Sequence, residues 1–139
     1  MSQANGREPV LILAGVSTSE ADRFYAAILR LHVPVRLLSV QKESVKSQIQ
    51  ELPPGSVKLV VAQCDRFDDE CASFVSELRA SSTFPRAPVI ILGPSLSSDE
   101  IASAERSGVN SCLATPTDEE LERLIRYWVD LNLTPRKAR

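Results

Sequence analysis

The chain has 139 residues, 43% of them hydrophobic and 24% charged, and its 16 basic and 18 acidic side chains leave a formal net charge of −2. A length near that of the commonest domain buries a core without disulfides or metal, so a stapled mini-scaffold and a disordered chain are excluded, and a second catalytic domain has no room. The near-neutral balance offers no basic field to nucleic-acid phosphates, and no apolar run approaches the roughly 18 residues of a membrane span, so neither nucleic acid nor membrane is expected as a partner.

Residues 1–8, MSQANGRE, read as a flexible tail without the basic start and apolar stretch of a secretory signal, and a cytoplasmic location is expected. From there apolar runs of strand length alternate with amphipathic stretches. The run VLILAG (Val10 to Gly15) precedes a helix with the stripe Phe24, Ile28 and Leu31. VRLLSV (Val35 to Val40) precedes the stripe Val45, Ile49 and Leu52, and VKLVVA (Val57 to Ala62) precedes Cys71, Phe74, Val75 and Leu78. PVIILG (Pro88 to Gly93) precedes Ile101 and Ala104, and CLA (Cys112 to Ala114) precedes Leu121, Leu124, Ile125 and Trp128 in a helix from Asp118 to Asn132. Five repeats of this βα unit predict a parallel sheet covered by helices on both faces.

Local signals place the boundaries. Ser17 with Glu20, Ser97 with Glu100 and Thr117 with Glu120 have the capping-box spacing at three helix starts. Pro34, Pro53-Pro54 with Gly55, Pro85 and Gly108 stand where a helix must stop before the next strand. The first, third and fourth runs are nearly continuous in Val, Ile and Leu, as strands buried on both faces are, whereas the second carries Arg36 and Ser39 and the fifth is short. Polar or short strands belong at edges, which predicts the doubly wound, flavodoxin-like order 2-1-3-4-5 and a site at the carboxyl ends of the central strands. The domain is expected to span residues 9–132, with a basic tail at 133–139.

The residues that carry chemistry elsewhere are sparse. Cys64, Cys71 and Cys112 are odd in number and form no CxxC pair, so reduced thiols are expected, Cys71 as a packing residue in the first turn of a helix. The single histidine, His32, falls at the end of the first helix, away from the expected site, and leaves Ser-His or Cys-His chemistry without a base. The turn AGVSTS has one glycine and no lysine and meets neither the P-loop nor the GxGxxG pattern. Ser17, Thr18 and Ser19 open a helix, where capping alone explains their hydroxyls; the alternative is an anion held by the N–H groups there, with Gln63, Ser95 and Thr115 around the same crevice.

The segments LVVAQCDRFDDECASFVSELRASSTFPRAPVIILGP and GVNSCLATPTDEELERLI resemble a receiver domain of the two-component response regulators. Gly108, Leu113 and Pro116 fall where that family's Gly-Ala…Tyr-Leu-x-Lys-Pro pattern has its Gly, Leu and Pro. The resemblance implies the receiver topology, and in that family an aspartate after the third strand accepts a phosphoryl group with the help of Mg²⁺. That chemistry uses an acidic pair after strand one, the aspartate nucleophile, a hydroxyl after strand four and a lysine after strand five. Here the acidic pair falls on Ala14 and Gly15, the nucleophile on Gln63, the hydroxyl on Gly93, the lysine on Thr115 and the switch aromatic on Cys112. Moving the nucleophile to Asp65 leaves the acidic pair and the lysine absent, and Asp68, Asp69 and Glu70 read as an acidic first helical turn.

The expected function is therefore a degenerate, pseudo-receiver module for phosphorylation-independent protein–protein interaction in bacterial signalling, not an enzyme, with no cofactor and no metal. The alternative is a small-ligand or anion sensor using the vacated pocket; an enzyme built on a reactive Cys64 has no nameable base or oxyanion partner. The resemblance makes the face of helix four, strand five and helix five the expected contact, and a homodimer one candidate. The charged ladder Glu119, Glu122, Arg123, Arg126 and Asp130 marks that face, beside the small residues Ala102, Ser103 and Ala104.

Overall fold

In the computed structural model, which describes residues 9–53, 55–80 and 88–130, each apolar run becomes a strand and each amphipathic stretch a helix. The elements are β1 (Val10–Ala14), α1 (Thr18–Leu31), β2 (Arg36–Val40), a 3₁₀ turn (Lys42–Ser44) leading into α2 (Val45–Glu51), β3 (Val57–Gln63), α3 (Asp69–Ala80), β4 (Val89–Leu92), α4 (Ser98–Arg106), β5 (Ser111–Leu113) and α5 (Asp118–Ile125). The predicted last helix is α-helical only to Ile125 and continues as a π-helical turn over Arg126–Asp130; Leu131, Asn132 and both tails lie outside the described residues.

All strand pairs are parallel, in the order β2-β1-β3-β4-β5. Alternation within the central strands assigns each side chain to one of two cores. Val10, Ile12, Ala14, Val60, Ala62, Val89 and Ile91 meet α2, α3 and α4 through Val45, Ile49, Cys71, Val75, Leu78 and Ala104. Leu11, Leu13, Leu59, Val61, Ile90 and Leu92 meet α1 and α5 through Phe24, Ala27, Ile28, Leu121 and Ile125. Edge strands β2 and β5 contain no fully buried residue, in keeping with their polar or short sequences.

The caps form as their spacing predicts. Ser97 and Thr117 make complete capping boxes with Glu100 and Glu120, while the Ser17 hydroxyl accepts the Glu20 N–H. His32 is the C-cap of α1 in the left-handed conformation (φ 57°, ψ 34°), its N–H donating to the carbonyls of Ile28 and Leu29. Gly108 is required by its φ of 113° and by Arg79, whose side chain covers it and donates to the Gly108 carbonyl at 2.8 Å and to Asn110 Oδ1 at 2.8 Å. That contact sets the entry into β5, because Asn110 Oδ1 also accepts the Val89 N–H.

Candidate functional site

The carboxyl ends of β1 and β3 and the loop after β2 enclose a cavity of about 370 Å³ lined by Gly15, Ser17, Lys42, Gln63, Cys64, Asp65, Arg66, Asp68, Glu70 and Cys71. It lies beside the topological switch point, between the central strands where the chain reverses its direction of winding. Of the residues expected around the crevice, Ser17 and Gln63 meet there, beside Gly15. Thr18, Ser19, Ser95 and Thr115 do not line this cavity: Thr115 borders a second groove beside β5 and α5, so the expected ring of hydroxyls does not close.

Of the positions that the sequence resemblance assigns to phosphoryl transfer, Ala14, Gly15, Gln63 and Gly93 hold groups with other work. Ala14 is fully buried in the sheet. Gly15 turns the chain with φ 64°, and its N–H donates to the Val40 carbonyl at 2.8 Å. A Cβ at Gly15 would be strained by that φ and would come within 3.3 Å of Lys42 Cγ and Cε. Gln63 Oε1 accepts the Ser17 N–H at 2.8 Å, so the amide latches the end of β3 onto the start of α1. Gly93 is packed under Leu96: a Cβ there would lie 2.6 Å from Leu96 Cγ and Cδ1 and 2.9 Å from the Cys64 carbonyl oxygen. A hydroxyl-bearing side chain at that position requires Leu96 or the loop that carries it to move.

Lys42 was not singled out by the sequence. Its side chain crosses the Gly15 turn and brings Nζ to 3.8 Å from Cys71 Sγ. The position was legible in principle, since loops after β1, β2 and β3 all emerge at one end of a parallel sheet. The acidic residues behave as helix-entry groups. Asp68 Oδ1 accepts the Cys71 N–H at 3.1 Å and Asp69 and Glu70 form the first turn of α3. Among the described residues no group of three or more His, Cys, Asp or Glu side chains is arranged to hold a metal ion.

The cysteine expectation is corrected. Cys64 and Cys71 are joined as a disulfide, with Cα atoms 6.9 Å apart, and only Cys112 is a free thiol. The pairing is tertiary in origin: the loop 65–68 folds the first turn of α3 back over the end of β3, so residues seven apart in sequence face each other. Glu100 ties the same region to α4. Its carboxylate accepts the N–H groups of Ser97 (2.9 Å) and Phe67 (3.0 Å) and lies 3.3 Å from Arg66 Nε, and these contacts, the backbone N–H groups first, lower its pKa from 4.5 to about 2.

At the opposite edge, a groove of about 550 Å³ is lined by Cys112, Leu113, Ala114, Thr115, Pro116, Glu120, Arg123, Leu124, Tyr127 and Trp128. Tyr127 is 58% exposed and stands edge-on to Trp128 at 4.8 Å. The expected charge ladder on α5 is partly redirected. Glu122 pairs with Arg30 of α1 at 2.5 Å instead of remaining on the outer face, and Arg23 bridges Glu20, Asp118 and the Pro116 carbonyl. Glu119, Arg123 and Arg126 remain exposed, while the Asp130 side chain lies outside the described residues. Packing of α1 against α5 brings these charges together, a relation that helical spacing within α5 does not contain.

No protein-family model matches the chain, and no curated protein matches it. Solved structures do. A response regulator from Hahella chejuensis superposes with a TM-score of 0.75 at 14% identity, covering 90% of this chain and 98% of that one. The phosphorylated cyanobacterial phytochrome response regulator RcpA gives 0.74 at 15% identity, with 89% and 96% coverage. A response regulator in red light signalling of R. palustris gives 0.72 at 20% identity, with 88% and 94% coverage. The strand order, the helices on both faces and these superpositions over nearly whole chains agree: the protein has the receiver-domain fold of the response regulators.

Proposed function

We propose that the chain is a phosphorylation-independent pseudo-receiver, a non-catalytic protein-interaction module of bacterial two-component signalling. The observation that carries this reading is the site at the end of β3. The nucleophile position holds Gln63, engaged with the Ser17 N–H, and the hydroxyl position holds Gly93, filled over by Leu96. A glutamine amide does not accept a phosphoryl group, and the Ala14–Gly15 pair offers no carboxylate to Mg²⁺. The retained fold and surface then carry the function.

The contact face in this reading is the one formed by α4, β5 and α5, where the apolar groove with Leu113, Pro116, Leu124, Tyr127 and Trp128 is rimmed by Arg123 and Glu120. A protein partner, a second copy of the chain among the candidates, docks there. No described helix is long and apolar enough to cross a membrane. Sedimentation and affinity capture compare wild type with Arg123→Glu/Arg126→Glu and with Tyr127→Ala. Loss of association in both variants, with folding unchanged, supports the face; association indifferent to both refutes it.

The sensor reading draws on one observation, the Lys42 ammonium group in the 370 Å³ cavity. It predicts a thermal shift with small carboxylate or phosphate anions that Lys42→Met abolishes. The neighbouring Asp65, Asp68 and Glu70 oppose an anion there, and we rank this reading second.

A further inference from the structure

We propose that Cys64 and Cys71 form a reversible dithiol–disulfide site that exchanges with low-molecular-weight disulfides of the glutathione type and controls how the loop 65–68 is held at the cavity. This inference stands apart from the signalling role, since it rests on the two sulfurs and their surroundings alone.

The bond closes a short ring, which stabilises less than one spanning a long loop. It closes a loop of only six intervening residues, on a domain whose two cores are already complete on both sides of the sheet. It is placed well for exchange. Both cysteines line the open cavity, although each is otherwise buried, at 2% and 4% exposed. Cys71 lies in the first turn of α3 with Lys42 Nζ 3.8 Å from its sulfur, and a cation and a helix N-terminus both favour the thiolate that attacks disulfides. The other charges at the cavity are Arg66, which acts in the same sense, and Asp65, Asp68 and Glu70, which oppose it; Lys42 is the cation in contact with the sulfur. Cys112 differs in each respect. It lies on β5, it has no sulfur partner, and burial first and then Glu105 raise its pKa, which keeps it a neutral thiol.

The reaction balances without a metal or other cofactor. The Cys71 thiolate attacks one sulfur of RS–SR, forming a Cys71–SR mixed disulfide and releasing RS⁻. The Cys64 thiolate then attacks Cys71 Sγ, forming the intramolecular bond and releasing a second RS⁻. The two thiol protons end on two RSH molecules, and the two electrons lost by the protein reduce the reagent. In the oxidised state the first turn of α3 is pinned to the end of β3, beside Gln63. In the reduced state the loop is held by Asp68, Glu100 and the Lys42–Cys71 contact.

The test equilibrates the intact chain in buffers of varied oxidised-to-reduced glutathione, quenches with acid, alkylates, and reads intact and peptide masses. Loss of two hydrogens mapping to Cys64–Cys71, reversed by dithiothreitol, with Cys112 alkylated throughout, is expected. Cys64→Ser is expected to trap a glutathione adduct on Cys71, and Cys71→Ser to gain one on Cys64 several-fold more slowly. Lys42→Met is expected to slow oxidation several-fold near neutral pH. Hydrogen exchange over residues 65–72 is expected to be slower in the oxidised wild type. Thiols alkylated at every ratio, a bond that persists in excess dithiothreitol, a pair that includes Cys112, adducts forming equally fast in both serine variants, oxidation unaffected by Lys42→Met, or exchange over 65–72 indifferent to redox state each overturns the proposal. The wild-type titration decides even if a serine variant fails to fold.

Discussion

Replacing Gly93 by serine asks whether a phosphoryl-binding hydroxyl can stand at the end of β4. The new Cβ meets Leu96 Cγ and Cδ1 at 2.6 Å and the Cys64 carbonyl oxygen at 2.9 Å, distances that real Cβ atoms essentially never show, so Leu96 or the loop that carries it must move. Overpacking of this kind costs about 1–3 kcal/mol. For a domain of this size that lowers Tm by roughly 3 to 10 °C. Leu96→Ala alone removes a half-buried side chain and costs about 1–2 kcal/mol. In the double variant the side-chain clash is relieved but the Cys64 carbonyl remains, because a backbone oxygen cannot swing aside as a side chain can. The two substitutions are therefore expected to be less than additive by about 1 kcal/mol. Urea and thermal melts followed by far-UV circular dichroism and by the fluorescence of Trp128 measure all three. A Gly93→Ser variant melting within about 1 °C of wild type, or costs that simply add, would refute the claim that Leu96 occupies the space of the hydroxyl.

Incubation with acetyl phosphate and Mg²⁺ is expected to leave the mass of both wild type and Gln63→Asp unchanged, because a single carboxylate lacks the metal and the lysine that stabilise the transferring charge; an acyl-phosphate adduct at Asp65 or at residue 63 would contradict this. Gln63→Ala removes the acceptor of the Ser17 N–H and should cost about 0.5–1.5 kcal/mol, with faster hydrogen exchange at Ser17 as its local signature. Glu100 titrates lower when folded, so the stability it contributes is complete above its ordinary pKa of 4.5 and is lost as pH falls through about 2. The stability difference between wild type and Glu100→Gln should shrink across that window, and a difference independent of pH would dismiss the carboxylate as the cause. The exposed Arg30–Glu122 pair joins α1 to α5, and a double-mutant cycle is expected to yield a coupling of only about 0.2–1 kcal/mol that weakens with salt.

Much of the scaffold was legible in residue order because it depends on near neighbours. Continuous apolar runs, stripes of helical period and the Ser-x-x-Glu and Thr-x-x-Glu caps act within a few residues, and Arg36, Ser39 and the brevity of the fifth run were enough to put β2 and β5 at the edges. The positions that the resemblance compares with the phosphoryl-transfer groups, Ala14, Gly15, Gln63, Gly93 and Thr115, could likewise be counted along the strands. What those positions do instead was decided by tertiary approach. Gln63 meets Ser17 across 46 residues, Lys42 reaches Cys71 across 29 and Arg30 reaches Glu122 across 92, contacts that exist only when loops and helices distant in sequence are carried to one end or one face of the sheet. Spacing argued against any disulfide because Cys64 and Cys71 form no recognised motif; the fold of the loop 65–68 brought their sulfurs together. Thr115, expected beside Gln63, lines the other groove because a hydroxyl's location depends on the path of its loop, and no periodicity encodes that path.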